Sequence, residues 1–444
     1  MFHALSAFVL RSARPRQALA CLVFAWSAVA GFTAQAQQVL TLDQALRLAQ
    51  DRSRQLVAQD AAAAALREMA VSAGQRPDPT LKVGINNLPI DGPDRLSLTR
   101  DFMTMRSVGV MQEFTRSDKL KARSARFERE AEAAAAARAL ALANLRRDTA
   151  TAWLDRHYQE QMLAVLQLQR AEASLQIDAA DAAYRGGGAG GAAKGAQADV
   201  FAARSAVAAI DDRIRQTESH VATAQTRLAR WLGDAASQPL AAAPAMTAVR
   251  LNARDLDLQL AHHPEIAIRV KQEEMALADA DIARRNQRAD WSVEWMFSQR
   301  GAAYSNMVSV NLSVPLQLDP KNRQDRDLAA KLALAEQMRA QREEATREHL
   351  AETRAWLQEW QSSRDRLSLH DSTLIPLAAE RTRAALAAYR GGAGPLGGVL
   401  EARRLEIDAR MDRLRLEMEA AGRWARLEYL LPPDHQSTGV ATEK

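Results

Sequence analysis

Few residues in this chain have the types and spacing that chemistry requires. His262-His263 is the one adjacent imidazole pair, and imidazole is a common transition-metal ligand. Two glycine-rich runs, at 186–191 and 391–394, have the composition of a phosphate-cradling loop. The surroundings of each favour a plainer reading. Consecutive residues on a helix point to different faces, and the histidines stand just before Pro264, so they read as a helix start or a surface pair. The glycine runs follow helical segments rather than strands, so they read as tight turns. There is no nucleophile elbow and no cluster of histidines at ligand spacing. The chain is therefore expected to have no catalytic residue, no cofactor and no metal site, and not to be an enzyme.

The elements that carry these residues occur twice. Ala152-Trp153-Leu154 returns as Ala355-Trp356-Leu357, and Tyr184-Arg185-Gly186-Gly187 returns as Tyr389-Arg390-Gly391-Gly392. The two pairs keep nearly the same offset. Each copy has one order: helical segment, two short alternating strands, very long helix, glycine break, second long helix. A period near 200 residues is too long for a solenoid unit and indicates a duplicated half-molecule. The expected domains are a signal peptide at 1–36, a first repeat at 37–233, a linker at 234–250 rich in Ala, Pro and Ser, a second repeat at 251–431, and a polar tail at 432–444.

The leader has an n-region with Arg11, Arg14 and Arg16, an apolar stretch from Ala18 to Ala30, and an Ala34-Gln35-Ala36 cleavage signal. Its Cys21 is the chain's single cysteine and stands too early in the leader to take a lipid anchor. The mature chain is thus expected to have no disulfide and no thiolate metal site. Three of the excess positive charges belong to the leader, which leaves +2 of the net +5 for the remainder. That is too little to suggest nucleic acid as a partner. No apolar run after the leader approaches the ~20 residues of a membrane helix, so any passage through a bilayer must use strands.

Those strands are visible as alternation. Val83 and Ile85 share one face of a segment at about 80–86, and Val108 and Val110 one face of 106–114. In the second copy Trp291, Val293, Trp295 and Phe297 alternate with polar or smaller residues over 290–298. Val308, Val310, Leu312 and Val314 do the same over 307–315. Strands of roughly nine residues match the ~9–11 that a tilted barrel strand needs to cross a bilayer. Four strands cannot close a conducting barrel, and open edges are not tolerated in lipid. Oligomerisation is therefore required, and three subunits would supply twelve strands.

The rest is helix. Thr41-Leu42-Asp43-Gln44 has the form of a capping box, opening a helix expected to run to about Ala73. Residues 118–185 form a proline-free helical stretch on the order of 100 Å long at ~1.5 Å per residue, and 196–232 resume it. The second copy has 323–390, with a local kink expected at Pro376, a break through 391–398, and a helix from 399 to 431. In that last helix Ile407, Met411, Leu414, Met418, Ala421 and Ala425 form a coiled-coil seam. Ala402, Leu405, Ala409, Leu416 and Ala420 form a second stripe, which implies neighbours on both sides. A periplasmic adaptor with a helical hairpin and a soluble coiled-coil protein are the rival readings. Neither explains both the duplicated hairpins and the amphipathic strands.

As an ordered, duplicated pattern over essentially the whole mature chain, the sequence resembles the TolC family of outer-membrane efflux channels. The resemblance implies a mainly α fold with a small β part. Duplicated coiled-coil helices and four strands per subunit would trimerise into a 12-stranded outer-membrane β-barrel on a periplasmic α-helical tunnel. It implies a passive efflux conduit working as a homotrimer with a periplasmic adaptor protein and an inner-membrane RND pump, with outer-membrane lipid around the barrel. The alternating apolar residues named above would face that lipid. The resemblance also implies that Tyr184, Gly186, Gly187, Tyr389, Gly391 and Gly392 form tip turns where the adaptor docks. It places Glu401 at the periplasmic gate, with Asp199 at the matching position of the first copy. A further family aspartate falls on Gly398, and the first turn carries about five extra residues, mostly Gly and Ala. The segments Pro315-Leu316 to Asn322-Arg323 and Arg116-Ser117-Asp118-Lys119 resemble the heavy-metal (CzcC-like) branch, which implies heavy-metal cations as cargo.

Overall fold

The fold is organised by four strands that alternate in direction. In a computed structural model, which describes residues 39–185, 197–252 and 254–432, β1 (Thr80–Asn86), β2 (Met105–Phe114), β3 (Trp291–Gln299) and β4 (Met307–Ser313) form one antiparallel sheet in the order β1-β2-β3-β4. Each copy supplies one hairpin. β2 and β3 join the two copies, with Val108 opposite Phe297 and Val110 opposite Trp295. β4 closes at Ser313, two residues short of the expected strand, because Pro315 has no N–H to give to a ladder. Val314 therefore lies beyond the sheet, exposed.

The up-down order sets where the helices go. β1 is preceded by α2 (Arg54–Ala73), β2 is followed by α3 (Ser117–Arg185), β3 is preceded by α6 (Pro264–Asn286), and β4 is followed by α7 (Gln324–Leu369). Alternating strands bring all four of these attachments to one end of the sheet. The two hairpin loops occupy the other end, where Arg300 donates to the Phe102 carbonyl at 2.9 Å and the loops dock on each other. At the helical end Lys119, nearly buried, pairs with Asp290 at 2.8 Å, and the Arg116 N–H donates to the same carboxylate. This clamp ties the start of α3 to the start of β3.

The remaining helices are α1 (Leu42–Arg52), α4 (Gln197–Leu232), a short α5 (Leu256–Ala261), α8 (Ile375–Arg390) and α9 (Leu396–Glu428). Thr41 caps α1, accepting from the Gln44 N–H while the Gln44 side chain accepts from the Thr41 N–H. The helix expected to continue to Ala73 breaks at Ser53. That residue has extended backbone, and its hydroxyl accepts from Leu56 N–H to start α2 afresh. α3 is unbroken over 69 residues. Its second-copy counterpart is interrupted: α7 ends at Leu369, a π-helical turn spans His370–Leu374, and α8 begins with Pro376 in its first turn. The proline ring opposes the carbonyl four residues back, Ser372, and the widened turn absorbs it.

α9 packs against α3, α4, α7 and α8. Ile407, Met411, Leu414, Ala421 and Ala425 are buried on one stripe, and Ala402, Leu416 and Ala420 on the other. The core centres on Trp153, which is fully buried in α3 with its indole N–H donating to the Leu40 carbonyl at 3.3 Å. Residues 234–250, expected as a linker, are stitched into the fold. Leu40 bridges Leu240, and Trp424 donates to the Ala248 carbonyl at 2.9 Å. A buried Arg156 also reaches the Ala236 carbonyl. Aromatic and guanidinium groups thus anchor chain whose own backbone has few ladder partners.

Candidate functional site

The sheet places most of its large apolar side chains on one face. Strand register puts Leu81, Val83, Ile85, Val108, Val110, Trp291, Val293, Trp295, Phe297, Val308, Val310 and Leu312 on one side. Most are exposed, Val83 at 76% and Val310 at 67%. An apolar surface this continuous is far beyond the scattered exposed leucines of a water-soluble surface. Arg106 and Gln112 also fall on this face, near the two ends of β2. At the helical end Phe114 stacks on Trp291 with ring centroids 4.3 Å apart. The opposite face carries Lys82, Asn86, Ser107, Glu294, Ser309 and Asn311, with Met105, Met111, Met296 and Met307 among them. There Lys82 pairs with Glu294 at 2.7 Å across two strands, and Asn86 donates to the Ser107 hydroxyl at 2.7 Å. β1 and β4 are each paired on one side only.

At the opposite end of the long helices the two copies meet again. Ala180 of α3, Val200 and Ala203 of α4, and Leu396 and Val399 of α9 form a small separate core, with Tyr389 of α8 packed against it. The turn after α8 is a Schellman motif: Gly392 N–H donates to the Tyr389 carbonyl and Ala393 N–H to the Ala388 carbonyl. Gly392 has φ +71°, which an L-residue adopts only with strain, although space around it is open. Gly391 is the helix cap, and its N–H donates to Ala387. Tyr184 ends α3 half-exposed, while Gly186 and Gly187 lie outside the described residues. α9 starts at Leu396, so Gly397 and Gly398 belong to its first turn and not to the break. Pro395, in extended backbone at the N-cap position, starts the helix early.

Glu401 stands in the second turn of α9, exposed, 3.8 Å from Arg404 and beside a cavity of about 400 Å³ between α3, α4 and α9. Asp199 is half-buried in the first turn of α4, where a carboxylate offsets the helix's positive end.

A third cluster was not anticipated. His263 is buried rather than superficial. It caps α6, its Nδ1 accepting from Glu265 N–H at 3.3 Å. The buried His349 of α7 lies against it, ring centroids 4.1 Å apart. Burial and the neighbouring imidazole push His263 down to about 3, and burial lowers His349 as well. Nothing in the sequence pairs residues 86 positions apart, so His349 had no signal.

No family model matches the sequence, and no curated protein does. Solved structures do match. The outer-membrane channel OprN aligns at TM-score 0.72 and 17% identity over 88% of this chain and 89% of that one. CusC, solved in a study of transmembrane channel formation, aligns at TM-score 0.72 and 17% identity over 87% and 91%. The outer membrane protein VceC of Vibrio cholerae aligns at TM-score 0.70 and 17% identity over 88% and 95%. The chain has the fold of these channels, mainly helical with a four-stranded antiparallel sheet.

Proposed function

We propose that the chain is the outer-membrane channel of a tripartite, RND-type efflux system, a passive conduit across the periplasm and outer membrane. The observation that carries this is the sheet: a largely apolar face, a more polar face with a bridged ion pair, and at each edge a strand paired on one side only. β1 and β4 run in opposite directions, so β4 of one copy can join β1 of the next in an antiparallel ladder. Three copies then close a twelve-stranded barrel with no open edge in lipid. The apolar residues face lipid and Lys82, Glu294 and Asn311 face the lumen. The helices, all attached at one end, carry the conduit into the periplasm.

On this reading the small core that unites Val200, Leu396 and Tyr389 is the periplasmic tip, where an adaptor protein docks. Glu401 and Asp199 are the gate acids. The inner-membrane pump selects the cargo. Heavy-metal cations are the proposed cargo, and the segments 116–119 and 315–323 support that choice.

The test is membrane fractionation followed by crosslinking and a heated-versus-unheated gel. The expected result is an outer-membrane species with a three-step crosslinking ladder. A soluble periplasmic species would overturn the barrel. The cargo is tested separately, by growth of a deletion strain on Zn²⁺, Co²⁺ or Cd²⁺ with and without the gene restored. Equal growth on all three removes the heavy-metal assignment and leaves the channel intact.

A further inference from the structure

We propose that His263, Glu265 and His349 form a binding site for one divalent transition-metal cation of the zinc class. Their geometry carries this site independently of the efflux role. One ligand atom from each of the three lies within 4.8 Å of the others. Tetrahedral coordination at ~2.0–2.2 Å per bond needs donors about 3.3 Å apart, so modest side-chain rotations close the set.

His263 is already arranged as a ligand. A neutral imidazole whose Nδ1 accepts carries its proton on Nε2, so Nδ1 presents a lone pair. Its Nδ1 gives up only a long 3.3 Å bond to receive the cation. His349 Nε2 is buried without a hydrogen-bond partner. A buried polar nitrogen left unpaired costs roughly 1–3 kcal/mol, and a metal bond would remove that cost.

All three residues, together with Glu352 one turn beyond His349, line the same cavity of about 1040 Å³. That cavity gives a hydrated cation a route in and leaves room for a fourth ligand, from Glu352 or water. Of the four arginines on its wall, Arg147 and Arg227 pair with Asp148 at 2.8 Å and Asp155 at 3.6 Å and Arg230 lies over the Trp231 ring, while Arg426 makes no ion pair among the described residues. Two imidazoles with one carboxylate suit zinc, cobalt or nickel better than magnesium or calcium, which prefer all-oxygen shells. The site joins the first turn of α6 to the middle of α7, so a bound cation would clasp the strand-bearing helices of the second copy together.

The test uses the full-length protein in detergent, stripped with EDTA and titrated with Zn²⁺ by calorimetry. Expected are one Zn²⁺ per chain and a higher melting temperature. Affinity should fall at least tenfold in His349→Gln and in His263→Asn, in which the asparagine keeps the helix cap, with no change in the exposed control His220→Gln. Circular dichroism in EDTA establishes that each variant is folded. Equal affinity in the wild type and in the doubly substituted protein would mean binding by surface carboxylates only and would overturn the site. Zinc-edge anomalous diffraction from wild-type crystals decides the matter without any variant. A peak among the three residues supports the site, and its absence in crystals soaked with Zn²⁺ sinks it.

Discussion

The two copies keep the same motifs but put them to different use. Trp153 is fully buried and hydrogen-bonded to Leu40, whereas Trp356 is half-buried on the wall of the large cavity. Four residues on, His157 of the first copy stacks on Trp153 at 5.3 Å, and its counterpart Trp360 is a buried indole. α3 contacts α1, α2, α4, α6 and α9, while α7 packs mainly on α6 and α9 and leaves Leu332 and Leu334 exposed. The first copy is the one around which the subunit core is built. The second keeps free surface and contains the interruption at 370–374. Duplication supplies two equal halves, and packing then makes them unequal.

The largest expected effect tests that inequality directly. Trp153→Ala should cost about 3–5 kcal/mol, as for a fully buried aromatic, and Trp356→Ala less than half as much. Denaturant unfolding measures both. Equal costs would mean that the second tryptophan is buried by something other than this subunit's own fold.

In the sheet the halves should instead behave alike. Val83 in β1 and Val310 in β4 share one exposed apolar face. If that face lies in lipid, Val83→Arg and Val310→Arg should each cost roughly 2–4 kcal/mol near the bilayer midplane and lower the yield of heat-modifiable trimer. Asn311→Arg, on the opposite face, should be tolerated. Tolerance at both valines would remove the lipid-facing assignment.

The tip comes next in size. Gly392→Val forces a β-branched residue to φ +71°, a strain of about 1–2 kcal/mol or more at a non-glycine residue. Trimers should persist on crosslinking while efflux is lost. Full efflux in this variant would separate the turn from adaptor docking.

At the position shared by His157 and Trp360 only the first copy can titrate. Burial holds His157 below the ordinary imidazole range. The unfolded chain therefore binds the proton first, and stability falls as pH drops below about 6.5 towards the folded value. His157→Phe should flatten that decline by at most about 1.4 kcal/mol per pH unit. Melting temperatures from pH 7.5 to 5.0 check it, and parallel profiles for the two proteins would exclude His157 as the source.

Much of this was readable from residue order because local rules decide it. Strand alternation sets a face whatever the tertiary context, so β1 to β3 follow from Val83, Val108 and Trp295. The turn after α8 follows from glycine, the one residue at ease at φ +71°. What could not be read depends on contacts distant in sequence or on subtle local competition. Ser53 stops a helix that a serine elsewhere would continue. The strain of Pro376 is taken up in the turn before it. Residues 234–250 look like a tether by composition, but Trp424 and Arg156 hold them. His349 meets His263 only because α7 crosses the start of α6.

The smallest effect on stability is expected at Glu401, the proposed gate acid. Asp199 has a local role, offsetting the positive end of α4, so Asp199→Ala should cost about 0.3–1 kcal/mol. Glu401 has no such role. It is exposed, lies past the first turn of its helix and makes only a 3.8 Å surface pair with Arg404, which contributes little. Glu401→Ala should leave stability within about 0.5 kcal/mol. In a closed trimer three Glu401 carboxylates would face one axis, and with Gly398 carrying no charge they would be the main acidic ring of this copy. Their removal should lower cation preference and raise leak through single channels in planar bilayers. Unchanged conductance and selectivity would place the narrowest point elsewhere along the tunnel, with Asp199 the next residue to replace.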